Sequence, residues 1–343
     1  MNRSIIFSLI LSLCSTGSIA QLGGHATYGF LNLTTSARVM ALGTKSIAID
    51  DDDFNLTYNN PALLNANMHN HFLVNYVKYF GGIDYGYVAY APGKIGDMHV
   101  AAGLHYLNYG SFQKADEDGI RKGKFQAAEY AVNLTASRSL DSTFGIGVNI
   151  KPVYSQLYEY TSMGLAADVG LLYSDTSGLF SAALVLKNIG TQIIPYTPSH
   201  YEPLPFEIQL GATFKLEHAP FRFSIVAEHI DKPDLTYTLS PEDSRIIYRY
   251  YQGNTQKSSL FDKIMRHMIL GVELTPVEHF YLRAGYHYRR RQEMKVESRL
   301  STVGFSWGFG IKLFKLYMNY GRGTYHLAGG TNHFSVRINF NEF

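Results

Sequence analysis

The stretch Pro205–Leu216, PFEIQLGATFKL, limits the possible folds of this chain more than any other. Phe206, Ile208, Leu210, Ala212, Phe214 and Leu216 form one series, and Glu207, Gln209, Gly211, Thr213 and Lys215 form the other. Side chains alternate between the two faces of a strand, so one face is wholly apolar and the other polar, charged or small. A soluble sandwich carries this pattern in a few strands. Here it recurs almost to the last residue. Phe144, Ile146, Val148 and Ile150 oppose Gly145, Gly147, Asn149 and Lys151. Val303, Phe305, Trp307, Phe309 and Ile311 oppose Thr302, Gly304, Ser306, Gly308 and Gly310. Phe334, Val336, Ile338 and Phe340 oppose Ser335, Arg337 and Asn339. The pattern points to an all-β membrane barrel, apolar towards lipid and polar towards its lumen.

From residue 71 onward there are fourteen strand candidates: 71–80, 82–91, 97–110, 125–138, 142–157, 161–173, 179–190, 205–216, 220–230, 267–275, 278–290, 300–313, 314–323 and 331–341. Connections after the even strands are short. Several after odd strands are long, namely Ser111–Lys124, Thr191–Leu204, Asp231–Arg266 and Arg291–Arg299. Barrels of the outer membrane have short periplasmic turns and longer outer loops, and a sandwich has no reason to sort its loops by strand parity. The expected fold is therefore a 14-stranded antiparallel transmembrane β-barrel with both ends of the chain on the periplasmic side. The final Phe343 after an alternating strand resembles the terminal signal read by the outer-membrane assembly machinery.

An export signal agrees with this location. Arg3 supplies a positive start, Ile5–Leu13 a short apolar core, and Ser18-Ile19-Ala20 a small-residue cleavage site, so residues 1–20 read as a cleaved signal peptide. Leu13 before Cys14 is bulky where lipoprotein signals carry a small residue. The apolar core is too short to span a bilayer as a helix, and no run of about 20 apolar residues occurs elsewhere. Cys14 is the only cysteine, so a chain cut after Ala20 has no disulfide, no thiol nucleophile and no Cys-ligated zinc. Lys+Arg is 30 against 28 for Asp+Glu, with no basic run, which argues against nucleic acid.

Residues 21–70 lack strand alternation. Ser36–Gly43 forms a short-helix pattern closed by Gly43, Asp50–Asp53 is an acidic run, and Asn60-Pro61-Ala62 is a turn leading into a helical start. This segment reads as a plug or hatch inside a barrel over 71–343; the alternative is a periplasmic arm. Glu129, Lys151, Asp168, Glu207, Lys215, Arg222, Glu228, Arg283 and Arg337 fall in the lumen-facing series. They would form salt bridges that hold a plug, or else line a solute path.

Chemistry is not marked. His69-Asn70-His71 and the other histidines lack ligand spacing, Asp50–Asp53 lacks the spacing of a calcium loop, and an Arg-paired or solvated turn explains it better. No GxSxG, phosphate loop or dinucleotide motif occurs. The expectation is no catalysis, no cofactor and no metal.

Two layers of resemblance follow from particular strings. The plug-plus-fourteen-strand outline, with Asn60-Pro61-Ala62 just before the barrel, resembles the FadL-like outer-membrane transport proteins. Phe30-Leu31-Asn32-Leu33, Ser36-Ala37-Arg38, Ala41-Leu42-Gly43, Ile150–Leu157, Gly164–Asp168, Leu179–Gly190, Glu202–Phe206 and Ala219–Phe223 together resemble the PorQ family of the type IX secretion system. That resemblance implies a non-enzymatic barrel of Bacteroidota outer membranes. It implies work with PorU, PorV and PorZ in the complex that attaches exported cargo to the cell surface, with PorZ anchored by the barrel. It carries over no catalytic or binding residues. Topology alone directs a surface partner to the largest outer loop, Asp231–Arg266, where Tyr248, Arg249, Tyr250, Tyr251 and Phe261 are the candidate contacts, Tyr and Arg being favoured interface anchors. The alternative for that loop is a self-folded cap. The alternative function is transport of long-chain hydrophobic compounds in the FadL manner, which requires an apolar pocket at the plug and a lateral opening; Pro152 is the residue that could interrupt a ladder.

Overall fold

The structure is a computed structural model that describes residues 26–116, 118, 120–236, 259–294, 301–326 and 329–342. Residues 1–20, Phe343 and Tyr248–Tyr251 lie outside the described residues. The alternating stretches form fourteen strands: β1 (His71–Lys78), β2 (Asp84–Ile95), β3 (Met98–Ala115), β4 (Arg121–Ser139), β5 (Phe144–Leu157), β6 (Tyr160–Ser174), β7 (Phe180–Ile194), β8 (Glu207–Lys215), β9 (Phe221–Ala227), β10 (Met268–Val277), β11 (Phe280–His287), β12 (Phe305–Leu313), β13 (Leu316–His326) and β14 (Gly329–Asn339). Each pairs with its sequence neighbours, and β1 pairs with β14 in unbroken antiparallel register from His71↔Asn339 to Lys78↔Asn332. Closure leaves no unpaired edge, which is what the absence of water in a bilayer demands of a strand-built span. Among the described residues no helix is long and apolar enough to cross a membrane.

The two series separate as the pleat requires. On β8, Leu210 and Phe214 face outward and are exposed, while Glu207, Gln209 and Thr213 face inward and are buried. Outward aromatics touch from strand to strand at the short-turn end. Phe144–Tyr173, Tyr173–Phe180 and Phe180–Phe214 have ring centroids 5.1, 6.2 and 5.0 Å apart. This sideways chain across β5 to β8 is one arc of an interfacial girdle.

Several strand ends differ from the expected spans. β3 and β4 continue through most of the expected 111–124 loop as a tall hairpin, with Ser111↔Gln126 and Gln113↔Lys124 still paired. β11 stops at His287, and the chain turns into a helix over Tyr288–Met294. β12 begins at Phe305 rather than residue 300, because Gly304 sits at φ 85° and breaks the extended run. Pro152 does interrupt its ladder: between Ala131↔Val153 and Leu134↔Ile150 two pairings of β4 with β5 are missing, yet the register is kept. A proline has no N–H to give, so the gap is local.

Inside the ring, residues 26–70 are almost entirely buried and make only short elements: helix α1 (Ala37–Ala41) and 3-10 turns at Phe54–Tyr58 and Pro61–Leu63. Ser36 caps α1 through its side chain, and Gly43 closes it at φ 101°. The segment bonds to inward side chains around the wall. The Ala37 amide donates to Ser335 Oγ at 2.9 Å, Ser306 Oγ donates to Ala41 O at 3.1 Å, and Tyr85 OH donates to Thr34 O at 3.1 Å. Inward glycines mark its path. An added Cβ at Gly321 would strike Ala37, at Gly308 Ala41, at Gly285 Gly43 and Leu42, at Gly211 Ile47, and at Gly147 Pro61 and Ala62. The segment therefore runs round the wall from β13 through β12, β11 and β8 to β5 at distances that no larger residue permits.

Candidate functional site

The richest cluster of charge lies where α1 meets β9, β10, β11 and β14. α1 points Arg38, which is 5% exposed, at Glu273 of β10. Its Nε and Nη2 meet both carboxylate oxygens at 3.0 and 2.9 Å, a two-pronged contact. The same guanidinium donates to Asp51 Oδ2 at 2.8 Å and Asp53 Oδ2 at 3.1 Å. Glu273 lies in register between Arg222 of β9 and Arg283 of β11, which approach it at 2.9 and 2.6 Å. Arg337 of β14 holds Asp52 at 3.0 Å and stacks over Tyr317 at 3.8 Å. Four guanidiniums and four carboxylates thus interlock, and they line a cavity of about 310 Å³ at the short-turn end. Burial pushes the Asp51 carboxyl up, but Arg38 and Arg222 outweigh it and hold the group well below the usual carboxylate range. Within the acidic run, Asp51, Asp52 and Asp53 are therefore Arg-paired, while Asp50 is exposed. A largely buried network of this kind fixes geometry more than it adds stability, because most of its charges have lost their water.

A second lock sits at the opposite end, where the long connections leave the strands. Lys45 of the inner segment bonds Glu207 at the start of β8 and, at 2.7 Å, Glu228 just beyond β9. Arg289 reaches Glu228 at 2.8 Å. Glu207, Glu228 and His229 offer ligand atoms within 4.8 Å of one another, but the Lys45 ammonium already supplies the cation between the two carboxylates. A Lys45→Met variant leaves both acids buried without it and is expected to lose about 3–5 kcal/mol; a lower melting temperature of the folded band in unheated SDS gels checks this.

The middle of the wall carries a third contact. Lys151 Nζ donates to Asp168 at 2.6 Å and also to Asn188. Asn188 stands in the left-handed region at φ 55°, where the β6–β7 register slips. From that bulge its Nδ2 donates to Asn32 Oδ1 at 2.7 Å, tying wall to segment.

Of the residues singled out from sequence, Asn60 caps the Pro61–Leu63 turn, with Oδ1 accepting from Ala62 N at 2.9 Å and Nδ2 donating to Ile47 O at 2.8 Å. Pro61 and Ala62 lie against Gly147 of β5. Phe261 lies on an exposed helical turn, and Tyr248, Arg249, Tyr250 and Tyr251 lie outside the described residues. Among the expected lumen charges, Glu129, Lys151, Asp168, Glu207, Glu228, Arg283 and Arg337 are buried inside, Arg222 is half-buried and Lys215 is exposed at the short-turn rim. The alternation also contained Glu273, opposite Leu270, Val272 and Leu274, but sequence reading passed over it. Arg38 and Lys45 have no local signature. The demand of an acidic run for buried cations was the available hint.

A closed, 14-stranded antiparallel wall with an apolar outside defines the class: a membrane-spanning β-barrel. No protein-family model matches the chain, and no curated protein matches it in sequence. Among solved structures, it is similar to the toluene transporter TbuX of Ralstonia pickettii, at 11% identity and TM-score 0.51, over 90% of this chain and 98% of that one. It is also similar to the deltaS2 mutant of the TodX monoaromatic hydrocarbon channel, at 12% identity and TM-score 0.50, over 88% and 96%. A FadL homologue of Pseudomonas aeruginosa aligns at 11% identity and TM-score 0.46, over 89% and 98%. At these identities the likeness is one of fold.

Proposed function

We propose that the protein is a plugged scaffold of the type IX secretion system: residues 26–70 stopper the lumen, and the outer loops hold a surface partner of the cargo attachment complex. The partner set is the one the sequence resemblance implies, PorZ with PorU and PorV. The observation that carries the reading is the double lock. Arg38 fastens the segment at one end and Lys45 at the other, with backbone seated on wall glycines between them. A conduit for hydrophobic solutes calls for an apolar chamber, whereas the cavity beside Arg38 mixes Asp51, Asp52, Asp53, Glu273 and four arginines with Phe221, Tyr281, Ile311 and Tyr317. The barrel contributes position, not chemistry, in this reading.

Transport of hydrophobic compounds is the second reading. It is favoured by the Pro152 gap between β4 and β5 and the Asn188 bulge between β6 and β7. TbuX and the TodX variant are described as a toluene transporter and a monoaromatic hydrocarbon channel. Deleting residues 240–257 separates the two. The scaffold reading expects the barrel to assemble and its partner to vanish from a mild-detergent pull-down read by mass spectrometry. A partner that still co-purifies sinks the loop assignment. Recovery of the barrel alone, with lipid in the extract, favours transport.

A further inference from the structure

Helix α2 (Leu260–Arg266), which leads into β10, is built inside out. At about 100° per residue, Leu260, Ile264, Phe261 and Met265 occupy one side, and Asp262, Arg266, Ser259 and Lys263 the other. In a water-facing helix the apolar side would turn to the protein. Here Leu260, Phe261 and Ile264 are 75%, 68% and 49% exposed, while the side chains of Arg266 and Asp262 are 14% and 21% exposed. The polar side is the one tied down. Arg266 donates to Asp262 at 2.7 Å, Lys263 pairs with Asp234 at 2.7 Å, and Tyr288 OH donates to Asp262 Oδ1 at 2.9 Å.

Tyr288 identifies what lies opposite the apolar side. Its ring is 6.4 Å from Tyr286, which is 4.8 Å from Phe305; Tyr286 and Phe305 belong to the outward series of β11 and β12. Tyr286 is in register with Leu270, an exposed outward residue of β10. α2 thus sits at the long-loop end of the lipid-facing belt of β10, β11 and β12, joined to the outward aromatics through Tyr288 on its polar side, while its apolar face stays exposed. We propose that α2 is an interfacial anchor. Its Leu260–Phe261–Ile264 face lies in the outer leaflet at the boundary between headgroups and acyl chains, and so fixes the base of the 228–267 connection in the membrane plane. The inference does not depend on the scaffold reading. It assigns Phe261 to lipid and leaves the Tyr248–Tyr251 stretch as the partner patch.

The single tryptophan makes the test direct. Trp307 is an outward wall residue, 51% exposed, so bromination of the lipid acyl chains should quench it in the unmodified protein and thereby certify insertion. In a Trp307→Phe background, Phe261→Trp and Lys263→Trp place the only indole on opposite sides of α2. Each protein is reconstituted without partners in phosphatidylcholine vesicles, plain or brominated near the top of the acyl chains. The expected result is about twofold loss of emission for Phe261→Trp, comparable to Trp307, and no such loss for Lys263→Trp. Lys263 gives up only a surface ion pair, so its variant should fold. Quenching of Phe261→Trp by aqueous iodide but not by brominated lipid overturns the proposal and makes the face a protein-docking surface. Quenching by neither overturns it too, since the chain itself then covers the residue.

Discussion

An Arg38→Met variant is expected to keep its barrel and lose its hold on residues 26–70. Arg38 faces Asp51, Asp53 and Glu273, and is buried with them. Methionine fills similar space but leaves three carboxylates to Arg222 and Arg283. Removing one partner from such a buried set costs about 3–5 kcal/mol, because the charges left behind have no water to return to. The wall does not share that cost, since its ladders are backbone bonds between neighbouring strands and its seam is unbroken. Limited proteolysis in mild detergent should therefore cut within 26–70 while the unheated gel band stays folded, and planar bilayers should show a conductance that the parent lacks. A segment that remains protected would mean that the charge network is not what holds it.

Gly285→Leu is expected to expel the same segment by shape alone. A Cβ at Gly285 lands on the backbone of Leu42 and Gly43, not on the end of a side chain that could swing away. Overpacking typically costs about 1–3 kcal/mol, and a backbone obstacle puts this case at the upper end. Gly29→Ala is the control, because nothing lies within 4 Å of the added atom. If both variants protect residues 26–70 equally, the glycine path is incidental.

The wall was legible in the sequence because a lipid-facing barrel must repeat one rule in every strand. Phe206 to Leu216 states that rule, and all fourteen stretches form strands of the closed sheet. The strand ends were less legible, since the 111–124 hairpin and the break at Gly304 depend on pairing and dihedral preference rather than on polarity. The charged locks were half legible. Strand residues such as Glu207 and Arg337 announce their face by parity, whereas Arg38 and Lys45 sit in a segment with no period, and only their three-dimensional partners give them meaning. The inward glycines were visible as small residues in the polar series. Their reason was not, because it lies in a segment remote in the chain, as Gly285 and Gly43 illustrate.

The seam has a consequence for assembly. The inner segment is synthesised first and β14 last, yet β14 touches both β1 and that segment: Ser335 accepts from the Ala37 amide, and Arg337 holds Asp52. Zipping the final strand and enclosing the first-made residues are therefore one event. A chain whose interior has not arrived would bring Ser335 and Arg337 to the seam with nothing to bind, so closure itself inspects whether the barrel has been filled.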